Sequence, residues 1–190
     1  MTRTPSIVAL ALAGALSVAG CGSDPTAPGA DPPSGKPAQS SDQTAELDGT
    51  SMPPWPAPTD VATRVASAGL DLGPMGMAEH YHPQLSIIIN GNEMPVPGNI
   101  GVDPATGAMS AMHTHEADGT VHIEADTKGE VFTLGQLFTQ WGVKLTPTQI
   151  GGVRTEPGEK VELTSNGEPV AGDPMGLRLE PEQRIELRIG

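Results

Sequence analysis

Three histidines and a glutamate recur within one short segment: His113, His115, His122 and Glu124. The Asp-Gly pair at 118–119 is typical of a two-residue type I′ turn, because both central residues of that turn have positive φ. A hairpin folded there places His115 opposite His122 and His113 opposite Glu124, with cross-strand Cβ atoms roughly 5 Å apart. Three imidazoles and a carboxylate on one face form a ligand set for a transition-metal ion. A three-residue loop would instead shift the register by one and scatter the cluster.

The remaining two histidines and several methionines lie close to this segment in the sequence. His80 and His82 are alternate residues, so they share a face wherever the chain is extended. Met77 and Met109 lie in adjoining loops, from which a thioether can fold over a site. Imidazole suits copper and zinc, whereas a thioether adds a preference for Cu(I). The predicted metal ligands are His113, His115, His122, His80, His82, Glu124, Met77 and Met109, with copper as the expected metal and zinc as the alternative.

The same residues are compatible with an enzyme. Three histidines around an open coordination position are the pattern of a catalytic zinc ion that activates water. Glu124 or Glu116 would then act as the base. As a metal ligand or as the acceptor of a histidine N–H, Glu124 is favoured because its side chain shares the histidine face. The chain has no Gly-x-Ser-x-Gly motif and no phosphate-binding glycine loop. A zinc-dependent hydrolase of the cell envelope and a non-metal interaction module with structural histidines therefore remain as the alternatives.

Two helices are predicted around this segment. Residues 130–142 contain the clearer one, in which Thr133 is the N-cap and Gln136 at N3 completes a capping box. One apolar stripe at helical spacing consists of Leu134, Leu137, Phe138 and Trp141. A shorter helix, capped by Thr59 or Asp60, is expected to run to Ala68 before Gly69.

Apolar runs and alternation predict strands at 85–89, 93–97, 143–145, 160–164, 168–170 and 184–189. Asn-Gly pairs at 90–91 and 166–167 predict hairpin turns. Outward Arg and Glu residues in 184–189 indicate a sheet edge. The expected fold is therefore α+β, with a small, largely antiparallel sheet and one packed helix in a β-grasp-like arrangement.

The first residues have the pattern of a targeting segment. Arg3 precedes the apolar run 7–19, which is too short to span a bilayer. Small residues followed by Cys21 resemble the bacterial lipobox, and the resemblance implies cleavage before Cys21 and diacylglycerol on its sulfur. Residues 1–20 are thus predicted to be a lipoprotein signal peptide, which places the protein on a membrane, outside the cytoplasm. Cys21 is the only cysteine, so the mature chain has no internal disulfide or thiolate site.

The domain boundary follows from composition. Residues 21–58 are rich in Pro, Ala, Ser and Gly, which predicts a disordered tether in which Met52 and Trp55 are incidental. Residues 59–190 are long enough for a single α+β domain with one core. The formal net charge of −13 excludes a nucleic-acid binder by bulk electrostatics.

Five segments together resemble a largely uncharacterised family of bacterial and archaeal exported or membrane-anchored proteins. In this sequence they are HYH (80–82), LSIIING (85–91), VPGNIGV (96–102), HTHEADGTVHIE (113–124) and FTLGQLFTQWG (132–142). The resemblance covers about residues 60–190 and implies that the histidines act together, without implying an activity. The predicted function is a lipid-anchored, extracytoplasmic copper-binding protein in storage, delivery or protection, with a metal-donor or metal-acceptor protein as its expected partner.

Overall fold

The computed structural model describes residues 48–190, and the predicted signal peptide, Cys21 and most of the predicted tether lie outside them. The helices in this part of the chain are α1 (Val61–Ser67), α2 (Leu134–Trp141) and a 3-10 turn (Pro174–Gly176). The strands are β1 (Leu72–Gly73), β2 (Glu79–Tyr81), β3 (Gln84–Ile89), β4 (Asn92–Met94), β5 (Met109–Ser110), β6 (Met112–His113), β7 (His122–Ala125), β8 (Leu145–Thr146), β9 (Gln149–Ile150), β10 (Val153–Arg154), β11 (Glu162–Ser165), β12 (Glu168–Pro169) and β13 (Arg184–Ile189). Within residues 48–190, no helix is long and apolar enough to cross a bilayer.

Helix α2 begins and ends where the sequence predicts. The Thr133 hydroxyl accepts a hydrogen bond from the Gln136 backbone N–H, and the Gln136 side chain accepts one from the Thr133 N–H, which completes the capping box. Gly142 ends the helix in the left-handed conformation, with φ of 78°. The apolar stripe is buried along its whole length, so α2 fills the centre of the core.

The main sheet has the order β12-β11-β13-β3-β4. Its first strand in the chain, β3, and its last, β13, lie side by side and parallel in the centre, while the other pairs are antiparallel. Along the chain, helix α2 lies between β4 and β11, the second and third strands of this sheet. Its apolar side chains join those of the sheet in one core. This is an α+β fold with β-grasp topology, as expected.

The position of β13 corrects one prediction. Its outward Arg and Glu residues indicated an edge strand, but β13 pairs with β3 on one side and β11 on the other. Its charged residues face the more exposed side of the sheet, where Arg188 pairs with Glu186 at 2.9 Å, while Ile185, Leu187 and Ile189 face the core. The alternation of charged and apolar residues in β13 is therefore due to one solvated face of the sheet and not to an unpaired edge.

The histidine hairpin also differs from its predicted register. Strand β7 lies between β2 and β6 in a three-stranded sheet, and His113 pairs with His122 where Glu124 was expected. The Asp-Gly pair at 118–119 does not form a type I′ turn, since only Gly119 has positive φ, 80°. The Gly119 carbonyl instead accepts a hydrogen bond from Leu85 N–H, which ties the loop to β3. The register moves by two residues, so the face of each side chain is preserved.

Trp55 was predicted to be incidental, and that prediction is wrong. Its side chain is 2% exposed and belongs to the core. The ring makes an edge-to-face contact with Trp141 at 5.8 Å between centroids, and its Nε1–H donates to the Ser51 carbonyl at 2.9 Å. The folded domain therefore begins before Thr59, and the preceding segment packs against α2.

Candidate metal centre

Strand β7 is the axis of the site. It carries His122 and, two residues on, Glu124, whose side chains therefore emerge on the same face. On one side β2 places His80 directly opposite Glu124, and His82 follows just beyond the end of β2. On the other side β6 places His113 opposite His122, with His115 in the loop beyond. The sheet therefore gathers all five histidines of the chain around β7.

One group of three histidines comprises His80, His82 and His122. One ligand atom from each lies within 4.8 Å of the other two. The His82 ring is edge-on to both neighbours, with centroid separations of 4.6 Å from each. The His80 side chain is 56% exposed, so this group opens to solvent. We call it the outer triad.

The second group comprises His113, His115 and His122, again with ligand atoms within 4.8 Å of one another. His113 is fully buried, and its ring stacks on that of His122 with a centroid distance of 5.5 Å. His115 is edge-on to both rings at 4.7 Å. We call this group the inner triad. His122 belongs to both triads.

Hydrogen bonds fix the tautomer of His113. Its Nδ1 lies 2.9 Å from the Ser110 carbonyl, which only accepts, so Nδ1 carries the proton and Nε2 keeps its lone pair. Nε2 of His113 lies 3.1 Å from Nε2 of His115. Two nitrogens at this separation fit adjacent positions around one ion with bonds of about 2.0–2.1 Å. A backbone carbonyl on the other ring nitrogen is the usual support for a ligating histidine.

Glu124 lies beside the outer triad. It is 8% exposed, and its Oε1 is 3.5 Å from Nε2 of His80. Its Oε2 is buried without a hydrogen-bond partner in the described part of the chain. Glu124 also lines a cavity of about 630 Å³ together with Met109 and Asp126. The carboxylate can thus orient His80 or act as a further oxygen ligand.

The segment that carries His113 and His115 is held by Thr114, which the sequence analysis did not single out. Thr114 is fully buried, and its hydroxyl donates to the Pro97 carbonyl at 2.8 Å and accepts from Ile100 N–H at 3.0 Å. Its backbone N–H and carbonyl bond Ile100 and Asn99. The signal for this role in the sequence was the position of Thr114 between two histidines. In an extended segment, alternation directs its side chain to the face opposite the histidines.

The predicted methionine ligands lie at different depths. Met109 lies in β5 at the rim of the cavity that Glu124 lines. Met77 is 94% exposed in the loop before β2. The structure thus brings together the five histidines and Glu124, and Met109 lines the same cavity as Glu124. The assignment of either thioether as a ligand stays a prediction.

Burial lowers the basicity of two of the imidazoles, those of His122 and His113. Burial, followed by repulsion from the neighbouring histidines, lowers the pKa of His122 to about 4, and Glu124 offsets this only in part. Burial likewise lowers the pKa of His113 from its usual 6.5, against the opposing bond to Ser110. Near neutral pH both rings are neutral and have lone pairs available, which is the state that binds a metal ion.

These pKa shifts predict a pH-dependent stability of the metal-free protein. Between pH 6.5 and about 4 the unfolded chain binds a proton at His122 that the folded chain does not, so stability falls as the pH is lowered through this range. We expect a loss of about 2 kcal/mol, less than the full shift implies because the ring is partly solvated. Urea unfolding at several pH values measures it, and His122→Gln is the control that should reduce the pH dependence to the part that His113 contributes. An unchanged free energy of unfolding from pH 7 to 4 would contradict the assignment.

A second prediction concerns Thr114. We expect Thr114→Val, which keeps the shape but removes the hydroxyl, to cost about 1–3 kcal/mol, because the Pro97 carbonyl and Ile100 N–H lose a partner. Metal affinity should fall about 10-fold or more, since these contacts hold the inner triad. Thr114→Ser is the matched control and should retain both properties. Equal behaviour of the two variants would show that the hydroxyl does not position the histidines.

No family model matches this chain, and no curated protein or solved structure matches it. The family resemblance carried by the histidine and helix motifs therefore stays a prediction. The fold and the site define a class on their own terms: an α+β domain whose histidines are close enough to hold a metal ion.

Proposed function

We propose that this protein is a lipid-anchored, extracytoplasmic copper-binding protein that acts in copper storage, delivery or protection. The observation that carries the proposal is the convergence of all five histidines around β7, in two triads that each have metal-ligand spacing. A structural role for these histidines is less favoured, because separate pairs bonded to backbone would serve it. Here the pairs converge, and His122 joins them.

Copper is favoured over zinc by the donor set. Sites built from nitrogen ligands bind Cu(II) more tightly than other divalent first-row ions, and thioethers from Met109 or Met77 would favour Cu(I). The single cysteine precedes the domain, so the site contains no thiolate. Imidazole and thioether ligands suit an oxidising compartment outside the cytoplasm, where exposed thiolates oxidise.

Exposure and charge support exchange with another protein. His80 in the outer triad and His115 in the inner triad are exposed, so a metal ion can reach each triad from solvent without unfolding of the domain. The formal net charge of −13 attracts cations to the surface and disfavours nucleic acid. A metal-donor or metal-acceptor protein is therefore the partner that this surface fits.

Membrane attachment rests on the lipobox resemblance at Cys21. We expect the protein to fractionate with membranes, and Cys21→Ala to remain as an uncleaved or soluble form without the lipid. Fractionation of cells grown with a labelled fatty acid tests this. Equal labelling of the wild-type protein and Cys21→Ala would exclude lipidation at this residue.

A zinc-dependent hydrolase is the second candidate. It is favoured by the adjacency of Glu124 to the outer triad and to a cavity, since a buried carboxylate beside a metal-bound water is a suitable base. Hydrolysis of cell-envelope peptides or glycans by the zinc-loaded protein, lost in Glu124→Gln, would favour this candidate over metal storage or delivery.

The cellular test compares copper tolerance. A strain without the gene should grow less well in excess copper, and the wild-type gene should restore growth whereas one encoding His122→Ala should not. Glu116→Ala, which changes an exposed residue in the loop before β7, is the matched control and should restore growth. Equal tolerance of all strains, together with absence of copper from the isolated protein, would refute the proposal.

A further inference from the structure

His122 has a position that no other histidine shares, since it is a member of both triads. Its strand, β7, lies between β2, which carries His80 and leads to His82, and β6, which carries His113 and leads to His115. His82 and His115 approach the His122 ring edge-on with centroid separations of 4.6 and 4.7 Å. One imidazole thus has two pairs of histidines arranged around it, one pair from each flanking segment.

An imidazole ring carries two nitrogen atoms on different edges. When one nitrogen binds a metal ion, the proton on the other becomes more acidic, and a second metal ion can replace it. The ring is then an imidazolate that joins two ions. This chemistry requires a histidine with two pairs of further ligands beside it, and the described histidines place one pair from each flanking segment next to His122.

We propose that the protein binds two copper ions joined by the imidazolate of His122, one held by His80 and His82 and the other by His113 and His115. This inference rests on the proposed copper-binding function and extends it to the number of ions and their linkage. On binding of the second Cu(II), the ring N–H bond of His122 breaks, a Cu–N bond forms, and the proton passes to solvent. No electron is transferred in this step.

A single site formed by all five histidines fits the geometry less well. Two ligands on one ion with bonds of about 2.0–2.1 Å lie no more than about 4 Å apart. Within each triad the ligand atoms lie within 4.8 Å of one another, slightly beyond this limit, and among the described residues the histidines that meet this wider distance form two sets of three. His113 is fully buried whereas the His80 side chain is 56% exposed, so the two ends of the cluster also lie at different depths.

The charges near the cluster favour a pair of cations. Two divalent ions repel each other, and an imidazolate between them supplies one negative charge in the most effective position. Glu124 supplies another, since its Oε1 lies 3.5 Å from His80 and its Oε2 is buried without a partner in the described residues. A carboxylate placed this way offsets the charge of the ion in the outer triad.

The test is a Cu(II) titration of the purified full-length protein in detergent, followed by electron paramagnetic resonance and by the protons released. We expect two equivalents of copper to bind. The resonance signal should grow with the first and fall towards zero with the second, because imidazolate couples the two unpaired electrons. The second equivalent should release one more proton than deprotonation of the other ligands accounts for.

The variant His80→Ala/His82→Ala isolates the inner triad, and we expect it to bind one copper with its full, uncoupled signal. Two coppers with additive signals in the wild-type protein would overturn the bridge. One copper per chain would overturn the two-ion site but leave copper binding intact. No tight copper in the wild-type protein would instead refute the proposed function itself. These three outcomes are all measured on the wild-type protein, so they do not depend on whether the variant folds.

Discussion

Replacing His122 by Ala should weaken copper binding more than replacement of any other single residue. Each of the other histidines belongs to one triad, whereas His122 belongs to both, so its loss leaves two separate pairs. Two ligands hold an ion far less well than three, and since loss of a merely supporting residue already weakens metal binding about 10–100-fold, we expect more than about 100-fold here. Competition with a chelator of known affinity measures this loss.

The fold should survive the substitution, because His122 lies partly exposed on the small sheet and not in the apolar core. Far-ultraviolet circular dichroism and urea unfolding at pH 7 check this point. Glu116→Ala, a change at an exposed residue in the loop that precedes β7, is the control, and its copper affinity should equal that of the wild-type protein. A His122→Ala protein that folds normally and binds copper as tightly as the Glu116→Ala control would show that the triads are not the site.

Trp55→Ala should cause a large loss of stability. The ring is 2% exposed, and removal of a fully buried aromatic side chain costs about 3–5 kcal/mol. Trp55 also contacts Trp141, whose own Nε1–H donates to the Pro56 carbonyl at 3.0 Å, so the truncation loosens two bonded segments at once. Chemical denaturation, with a two-state fit, gives the free energy of unfolding.

Met52 provides the comparison for Trp55, since it lies in the same segment and is 65% exposed. Met52→Ala should change the free energy of unfolding by less than about 0.5 kcal/mol. If Trp55→Ala were equally mild, the segment before Thr59 would not be part of the cooperative domain. The predicted boundary at residue 59 would then describe the folded unit better.

Local signals in the sequence predicted the elements that depend on local interactions. The capping box at Thr133 fixed the start of α2, and Gly142 fixed its end. Both Asn-Gly pairs adopt positive φ at each residue, as a type I′ turn requires: Asn90 and Gly91 in one hairpin, Asn166 and Gly167 in the other.

The errors concern long-range contacts. The Asp-Gly pair at 118–119 has an equally strong turn signal, but hydrogen bonds from the loop to Pro83 and Leu85 outweigh it. The parallel pairing of β3 with β13 joins strands that are far apart in the sequence, and alternation alone does not distinguish a central strand from an edge. The Pro-rich composition around Trp55 predicted a disordered tether, whereas Trp55 is buried and contacts Trp141, far away in the sequence.

The clustering of the histidines was predictable from the sequence, whereas the arrangement of the strands that carry them was not. The face of each histidine in β6 and β7 follows from alternation, and a register change of two residues preserves it. His82 and His115 lie outside the strands, so alternation does not place them, and the sharing of His122 depends on the sheet order β2-β7-β6. This strand order depends on tertiary contacts, which no local sequence pattern specifies.

The most direct test of copper binding by the histidine cluster is a competition titration of the purified full-length protein with Cu(I), Cu(II) and Zn(II), beside the His113→Ala/His115→Ala variant. The prediction is that copper binds more tightly than zinc, and that the variant loses the copper held by the inner triad and keeps one copper at the outer triad. Binding no tighter than that of any acidic protein, and unchanged in the variant, would contradict it. The histidines would then be structural.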